Sequence, residues 1–466
     1  MIEILYILRY HIHTSYKGVF NVNRFKLNIF NKLIFISILC LFFCSRFILP
    51  VFASTTNLSV YAPSCILIDA NSGKILYNKN ANEKMFPAST TKIMTAILTL
   101  EHCNLNDVVT ISHNAVFSIP SGYSIASLQE GEQFSVEQLL NVLLIPSAND
   151  AAVALAEHIA GSVEAFSDMM NQKASAIGCL NTHFVNPNGI HNENHYSTAY
   201  DLSLIGKYAM QFDTFRSIVS KTYYELPSLY APGDRAFTTT NPLIKKNNSS
   251  SKFNYYYPYA TGAKTGYTDA AKNCIVATAT KDDISLIAVV LHDETTEDGL
   301  SQRALDCKAL FNYGFNNYSN VKLFEKNTVA KQIHVTGGTK DSADLDLLCN
   351  KDVYALLPNS YDISLVDPNI KLTENISAPI AEGTVLGSIT YNIDNSDYSC
   401  DLIASHTVHK SDLPKTAMEL VLLILFLVIF ANFLRFKKKR ESQKSAKRKR
   451  KNSNRKHVEN FYPTYK

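Results

Sequence analysis

The order of apolar and polar residues predicts a chain that mixes strands and helices. In SCILIDANSGKILYNKN, at 64–80, the two kinds of residue alternate on both sides of the turn sequence Asn-Ser-Gly, a pattern typical of a β-hairpin. Apolar residues then recur at the spacing of one helix face, at Ile93, Met94, Ile97 and Leu98. We therefore predict a hairpin followed by a helix that begins just after Pro87.

The middle of the chain predicts more helices and then a return to strands. Residues 136–160 predict two helices interrupted at Pro146, and 160–220 predict further helices around the loop sequence NPNGIHNENH. The apolar runs CIVATAT and ISLIAVVL are rich in β-forming residues and predict a second hairpin. The next helix is predicted over 300–313, ending at Gly314.

After residue 319 the apolar runs become short and are separated by Gly, Pro, Asn and Asp. The runs VAKQIHV, DVYALLP, DISLVD and TVLGSITYNI have the length of strands. They predict a small all-β domain, similar to a β-sandwich, over 319–408. The polar segment 409–416 is predicted to be a linker.

Two strongly apolar segments lie near the two ends of the chain. KLIFISILCLFFCSRFILPVFA follows basic residues and ends in small ones, which predicts a secretory signal over 1–53, with an uncleaved anchor as the alternative. AMELVLLILFLVIFANFLRF, at 417–436, is long enough to span a bilayer, although its polar residues leave an interfacial helix as the alternative. The basic run at 437–466 predicts a cytoplasmic tail, which places the body of the protein outside the cytoplasm.

Charge is distributed unevenly along the chain. The formal net charge of +4 divides into +5 for 1–53, −13 for 54–434 and +12 for 435–466. An acidic body argues against a nucleic-acid partner. With 46% hydrophobic and 18% charged residues over 466 positions, the chain can fold into at least two globular domains.

The cysteines argue against a disulfide-rich or zinc-binding domain. Two of the nine, Cys40 and Cys44, lie in the predicted signal, and the other seven are scattered without a Cys-x-x-Cys pair. We expect most of them to be small buried side chains.

The first candidate for chemistry is the Ser-x-x-Lys pair formed by Ser89 and Lys92. Residues three apart share one helix face, so a neutral lysine there could take the proton of the serine hydroxyl. Burial or a nearby cation would lower the lysine pKa enough for that role. The pair alone is weak evidence, because the same spacing recurs elsewhere, as at Ser319 and Lys322, and a helix cap with a solvated lysine is the better explanation of an isolated match.

Two further motifs strengthen the catalytic interpretation. IPSANDAA places Ser147 and Asn149 in the break between two predicted helices, and ATGAKTGYT places Lys-Thr-Gly at 264–266 at the start of a predicted strand. The order Ser-x-x-Lys, Ser-x-Asn, Lys-Thr-Gly is the signature of penicillin-binding proteins and class A β-lactamases.

With these motifs the chain resembles the D-alanyl-D-alanine carboxypeptidases, which are low-molecular-mass penicillin-binding proteins of the serine peptidase type. The resemblance also rests on LIDANSGKILYNKNANEKMFPASTTKIMTA, NPNGIHNENHYSTAYDLSLI and APIAEGTVLGSI. It implies an α/β (α+β) catalytic domain of the β-lactamase and transpeptidase type over 54–318. That domain would hold an antiparallel sheet flanked by helices and a helical subdomain. The small all-β domain and the membrane helix would follow it.

The resemblance also implies a role for each motif residue. Ser89 would form the acyl-enzyme and Lys92 would be its base, while Ser147 would relay a proton to the leaving D-alanine and Asn149 would hold the peptide. Lys264 and Thr265 would bind the terminal carboxylate, which Arg303 would help to attract. Gly266 would let the substrate backbone approach closely, and the backbone N–H groups of Ser89 and Tyr267 would form the oxyanion hole. A helix-surface ion pair is the alternative for Arg303. The implied partners are peptidoglycan stem peptides ending in D-Ala-D-Ala, β-lactams as covalent inhibitors, and membrane lipid at the C-terminal segment, with no cofactor.

Other interpretations of the sequence remain open. In HNENH, His191 and His195 have the i, i+4 spacing of zinc ligands with Glu193 between them, but the segment lacks an apolar helix face, so we expect no metal. A class A-like β-lactamase would need a deacylating glutamate, and no glutamate between 150 and 263 has the expected setting. A D,D-endopeptidase fits the same motifs. A non-catalytic sensor would require a broken set of motifs, whereas this set is complete.

Overall fold

The structure is a computed structural model, and it describes residues 58–226, 235–246, 253–296, 299–411 and 415–459. The predicted signal at 1–53 lies outside the described residues. So do the last seven residues of the predicted basic tail.

The first part of the described chain alternates strands and helices. Its strands are β1 (Ser64–Asp69), β2 (Ile75–Lys79), β3 (Val108–Thr110), β4 (Gln133–Ser135), β5 (Tyr223–Glu225), β6 (Ala236–Thr238), β7 (Ala260–Thr268), β8 (Lys272–Lys281) and β9 (Ile284–Asp293). Its helices are α1 (Lys92–His102), α2 (His113–Phe117), α3 (Val136–Leu144), α4 (Asn149–Ala160), α5 (Val163–Ile177), α6 (Ala199–Ala209), α7 (Asp213–Val219) and α8 (Gln302–Asn317).

Five of these strands form one antiparallel sheet in the order β2-β1-β9-β8-β7. Because successive side chains of a strand point to opposite faces, each strand contributes to two cores. Ile66 and Ile68 pack on the face covered by α1 and α6, and Leu67 packs on the face covered by α8. The predicted hairpins at β1–β2 and β8–β9 are confirmed, and so is the antiparallel sheet flanked by helices.

Helices α1 and α3 to α7 pack together on one side of the sheet. The predicted break at Pro146 is confirmed, since α3 ends at Leu144 and α4 begins at Asn149. Helix α3 begins with a capping box, in which Ser135 and Gln138 each bond the backbone N–H of the other. These helices carry the first two motifs to the edge of the sheet at which β7 lies.

The predicted end of helix α8 at Gly314 is wrong, because the helix continues to Asn317. Glycine lies inside the helix for a packing reason. A Cβ at Gly314 would lie 2.5 Å from Leu286 Cδ1 and 3.0 Å from Leu67 Cδ2, so only glycine lets α8 approach the sheet this closely.

The second part of the chain is all β, as predicted. Its strands are β10 (Tyr318–Phe324), β11 (Val329–His334), β12 (Asp344–Cys349), β13 (Val353–Pro358), β14 (Asn369–Leu372), β15 (Val385–Ile393) and β16 (Ser396–Ala404). They form a sheet in the order β11-β12-β16-β15-β14 and a separate β10–β13 pair. The run DISLVD is not a strand, because the Asp362 carboxylate accepts from Ser364 N–H and caps a short 3₁₀ helix, Ile363–Leu365.

The last element in the described part of the chain is one long helix, α9 (Lys415–Glu459). The stretch Ala417–Lys451 is long and apolar enough to cross a membrane, and the apolar window within it is not buried against the rest of the protein. The seven cysteines that follow the predicted signal are all free thiols, six of them buried.

Candidate active site

The nucleophile candidate lies in a tight turn at the start of α1. Behind Pro87 the chain forms a single 3₁₀ turn, Ala88–Thr91, and continues directly into α1 at Lys92. This geometry places Ser89 one turn before Lys92, with Ser89 Oγ 2.9 Å from Lys92 Nζ. The two side chains therefore lie within hydrogen-bonding distance, as their spacing predicts.

Lys92 is fully buried and has three oxygen neighbours. Besides Ser89 Oγ, its Nζ lies 2.8 Å from Asn149 Oδ1 and 2.7 Å from the backbone carbonyl of Asn188. Burial, followed by the positive charge of Lys264, lowers the Lys92 pKa well below its ordinary value, and Asp150 opposes this shift. The surroundings therefore favour a neutral amine.

A neutral amine at this position has one arrangement that satisfies all three neighbours. It carries two N–H bonds and one lone pair, and both carbonyl oxygens can only accept hydrogen bonds. Donation to Asn149 Oδ1 and to the Asn188 carbonyl uses both N–H bonds, so the lone pair faces Ser89 Oγ. Lys92 is thereby oriented to accept the Ser89 proton.

The second motif lies in the break between α3 and α4. Asn149 is the first residue of α4, and both its backbone N–H and its Nδ2 donate to the Ser124 carbonyl at 2.8 Å. This pairing fixes the orientation of the Asn149 amide, with Oδ1 toward Lys92. Ser147 has φ of 71°, in the left-handed region, and no described residue forms a hydrogen bond with its hydroxyl.

The third motif lies in the middle of β7. The prediction that Lys-Thr-Gly begins the strand is wrong by four residues, since β7 starts at Ala260. A Cβ at Gly266 would lie 2.9 Å from the Ser89 N–H nitrogen, so glycine lets the strand pack against the nucleophile turn. β7 is the edge strand of the sheet, which leaves alternate backbone groups free of the ladder on its outer side.

Two residues of this motif have polar side chains directed into the protein. Lys264 is fully buried, and burial together with the charge of Arg303 lowers its pKa to about 7. Thr265 Oγ1 lies 2.6 Å from Thr240 Oγ1, a hydroxyl that the sequence analysis did not identify. The two adjoining hydroxyls provide donors beside the lysine.

Tyr267 is exposed to solvent, whereas the Arg303 side chain lies between α8 and the sheet. The Tyr267 side chain is 56% exposed, and its hydroxyl donates to Asp269. Arg303 extends from α8 and donates through Nη1 to the backbone carbonyls of Gly266 and Cys274, at 3.0 and 3.4 Å. Arg303 therefore stabilises β7 from the face of the sheet that α8 covers, and it is not part of a helix-surface ion pair.

The loop NPNG forms a wall of the site that the sequence analysis missed. Asn188 supplies the carbonyl that accepts from Lys92. The next residue, Gly189, has φ of 81°, and a Cβ there would lie 1.9 Å from the Ala88 carbonyl oxygen. The Asn-Gly dipeptide signals a turn, but these contacts join residues about 100 positions apart, which local pattern cannot reveal.

The two histidines of HNENH have separate environments. The ring of His191 packs against Phe86 at 4.7 Å, and its Nε2 lies 3.3 Å from Glu193. His195 is buried, with Nε2 2.8 Å from Thr91 Oγ1. Within the part of the chain that the structure describes, no group of three or more His, Cys, Asp or Glu side chains could hold a metal ion.

The charge of the site suits an anionic ligand. Lys264 and Arg303 lie near each other beside the neutral Lys92 amine, and among the described residues no carboxylate forms an ion pair with either of them. Buried cations without a counter-charge favour binding of an anion such as a carboxylate. The Ser89 hydroxyl, the oriented Lys92 amine and the buried Lys264 cation are together suited to acyl transfer from a substrate with a terminal carboxylate.

Comparison with known proteins supports this chemistry. Residues 51–295 match the family described as D-alanyl-D-alanine carboxypeptidase, Peptidase_S11, and residues 318–410 match the C-terminal domain of penicillin-binding protein 5. The chain is 35% identical to D-alanyl-D-alanine carboxypeptidase DacF of Bacillus subtilis over 347 residues, which cover 73% of this chain and 84% of DacF. It is 30% identical to DacA of Escherichia coli K12, over 75% of this chain and 86% of DacA.

Solved structures of penicillin-binding proteins are also similar to this chain. The peptidoglycan synthesis regulatory factor PBP3 of Streptococcus pneumoniae superposes with a TM-score of 0.63 and 25% identity, over 75% of this chain and all of the other. Penicillin-binding protein 5 of Haemophilus influenzae superposes with a TM-score of 0.58 and 29% identity, over 76% of this chain and 98% of the other. The chain therefore belongs to the D-alanyl-D-alanine carboxypeptidase family of serine peptidases, with a catalytic domain like that of penicillin-binding protein 5 followed by the family's all-β C-terminal domain.

Proposed function

We propose that this protein removes the terminal D-alanine from peptidoglycan stem pentapeptides through an acyl-enzyme on Ser89, and so limits cross-linking. The observation that carries the proposal is the environment of Lys92. Its amine is buried, its pKa is lowered, and two carbonyl oxygens orient its lone pair toward Ser89 Oγ. That arrangement turns a weak nucleophile into a reactive one.

Acylation follows from this geometry. Ser89 Oγ attacks the carbonyl carbon of the penultimate D-alanine while Lys92 accepts the hydroxyl proton. The N–H groups of Ser89 and Tyr267 stabilise the oxyanion, because β7 packs directly against the nucleophile turn. The C–N bond then breaks, and the leaving amine takes a proton delivered through Ser147, whose hydroxyl has no other described partner. D-Alanine departs and an ester remains on Ser89.

Deacylation repeats the same steps with water in place of the serine. Lys92 removes a proton from a water molecule that attacks the ester carbonyl, and Ser89 leaves with a proton. Asn149 holds the peptide backbone during both steps while it keeps its own amide fixed on Ser124. The shortened peptide is released and the free serine is restored.

Substrate selection depends on the cations at β7. The Lys264 ammonium and the Thr265 hydroxyl bind the terminal carboxylate, and Arg303 increases the positive potential from below the strand. A β-lactam carries a carboxylate and a strained amide in the same relation, so it acylates Ser89 and remains bound as a covalent inhibitor. The Lys264 ammonium then gains the anionic partner that it lacks in the free protein.

We further propose that α9 anchors the enzyme in the cell membrane. The apolar stretch at 417–436 would span the hydrocarbon layer, since about 20 helical residues reach ~30 Å. The basic tail at 437–466 would then lie in the cytoplasm and the catalytic domain outside it. A protease-protection experiment on inside-out membrane vesicles tests this orientation, because the tail should be digested and the catalytic domain protected.

Labelling with a fluorescent penicillin, together with an assay of D-alanine release from a pentapeptide, tests the catalytic proposal. We expect the wild type to be labelled and to release D-alanine, and Ser89→Ala to do neither. Ser319→Ala is the matched control, because Ser319 and Lys322 have the same spacing but lie in β10. Labelling that survives Ser89→Ala, or a wild type that releases no D-alanine, would contradict the proposal. Rapid nitrocefin turnover would indicate a β-lactamase, and cleavage of a cross-linked peptide dimer alone would indicate an endopeptidase.

A further inference from the structure

His195 bridges the nucleophile turn and the loop that contacts Lys92. Its side chain is almost fully buried, with Nε2 2.8 Å from Thr91 Oγ1 and Nδ1 3.2 Å from the backbone nitrogen of Val185. A backbone N–H can only donate, so Nδ1 accepts and the ring proton is on Nε2, which donates to Thr91. Burial, followed by the charge of His183, lowers the His195 pKa to about 3, which agrees with a neutral ring.

The loop at 185–190, which we name the carbonyl loop, is held by bonds along its length. Asn186 Oδ1 accepts from Gly189 N–H at 2.7 Å, and Asn186 Nδ2 donates to the Ile190 carbonyl at 2.9 Å. Thr95 Oγ1 donates to the Pro187 carbonyl at 2.5 Å. Among the described residues, His195 is the only aromatic side chain that forms hydrogen bonds with both this loop and the nucleophile turn.

These contacts decide where the Asn188 carbonyl lies. Thr91 directly precedes Lys92, and Val185 begins the carbonyl loop, so the His195 ring joins the segment that carries the base to the loop that carries its acceptor. This connection adds to the bond from Thr95 Oγ1 to the Pro187 carbonyl. The acceptor must remain in place if the second N–H of Lys92 is to be occupied and the lone pair is to face Ser89. A displaced carbonyl would let the amine rotate away from the serine.

We propose that His195 is a positioning residue for Lys92, and that its two hydrogen bonds hold the Asn188 carbonyl where it orients the amine. This inference rests on the proposed role of Lys92 as the base. A histidine that only fills the core would affect stability when replaced, without changing how the rate of acylation depends on pH.

Three substitutions separate these two roles. Glutamine can donate to Thr91 and accept from Val185 N–H, so His195→Gln retains both bonds, whereas His195→Leu removes both. Thr91→Val removes only the acceptor on the nucleophile turn. Thr99→Val is the matched control, because Thr99 is equally buried on α1 and its hydroxyl only donates to the Thr95 carbonyl.

The measurements are steady-state D-alanine release and the rate of acylation by penicillin from pH 5 to 10. We expect His195→Leu and Thr91→Val to lower kcat and the acylation rate by about 10- to 100-fold, the effect of misplacing a reacting group by ~1 Å. KM should stay within about twofold, because substrate binding is untouched. The acid limb of the acylation profile should move to lower pH, since an acceptor that favours the protonated Lys92 has moved away.

The conservative variant and the control complete the test. His195→Gln should keep the acylation rate within about threefold of the wild type, and Thr99→Val should match the wild type in rate and in pH profile. If His195→Leu does not fold, the comparison of Thr91→Val with Thr99→Val decides. An unchanged rate and acid limb in Thr91→Val, or a His195→Gln as slow as His195→Leu, would overturn the inference. A wild type that releases no D-alanine would instead contradict the proposed function itself.

Discussion

Replacing Lys264 with methionine should make the catalytic domain more stable and should slow acylation of the enzyme. The Lys264 side chain is fully buried, and burial together with Arg303 lowers its pKa from 10.5 to about 7. Methionine has a similar length and no charge, so the substitution removes the ammonium without opening a large cavity.

The size and the pH dependence of this gain follow from the pKa. The fold disfavours the protonated form by about 3.5 pH units, which corresponds to ~5 kcal/mol. Because the folded-state pKa is lowered, the unfolded chain binds more protons between pH 7 and 10.5, and wild-type stability rises with pH across that window. The penalty is complete below pH 7. The lost bond from Lys264 Nζ to the Thr265 carbonyl offsets ~1 kcal/mol of the gain.

Urea unfolding of the full-length protein in detergent, at pH 6 and pH 10, measures the effect. Lys264→Met should exceed the wild type by a few kcal/mol at pH 6, and the two should converge at pH 10. Penicillin acylation should slow by about 10- to 100-fold, since the carboxylate loses a charged donor. Lys245→Met, at an exposed lysine, is the control and should change neither quantity. A Lys264→Met protein no more stable than the wild type at pH 6, or equally separated from it at pH 10, would refute the reasoning.

Two further substitutions test the packing around the site. Gly189→Ala should abolish penicillin labelling, because the new Cβ would lie 1.9 Å from the Ala88 carbonyl oxygen. Gly178→Ala is the control, because Gly178 has a φ of 99° and no atom near the position of a Cβ. This control should lose only ~1–2 kcal/mol of stability and keep its labelling. Labelled Gly189→Ala protein would contradict the close approach. Arg235→Met should lower the free energy of unfolding by ~3–5 kcal/mol, because it leaves the buried Glu132 carboxylate without its ion-pair partner at 2.9 Å. Adding Glu132→Gln should recover most of that loss, and no recovery would contradict the explanation.

Local pattern was sufficient for most elements of the fold. Alternation predicted the β1–β2 hairpin, two apolar runs rich in β-forming residues predicted the β8–β9 hairpin, and Pro146 predicted the break between α3 and α4. The end of α8 was predicted wrongly because Gly314 has the residue type of a helix terminus but is required by contact with β1 and β9. Such a contact depends on the tertiary structure, and no local pattern contains it.

In the site, too, local pattern predicted the contacts within one element but not those between distant segments. Ser89 and Lys92 are one turn apart, so their proximity follows from the helix alone. The Asn188 carbonyl could not be predicted, because a backbone oxygen carries no sequence signal. The Thr240 hydroxyl could not be predicted, because its contact with Thr265 comes from a separate segment outside any motif. His195 was considered as a metal ligand from its spacing, and the structure instead gives each ring nitrogen a partner.

The most direct test of the central claim is to locate the acyl group. Trypsin releases MFPASTTK, residues 85–92, which contains Ser89, Thr90 and Thr91 as its hydroxyl side chains. After reaction of the full-length protein with benzylpenicillin and rapid digestion, mass spectrometry of this peptide should show one added penicilloyl group, and fragmentation should place it on Ser89. An unmodified 85–92 peptide from penicillin-labelled protein, or a penicilloyl group on either threonine, would contradict the account.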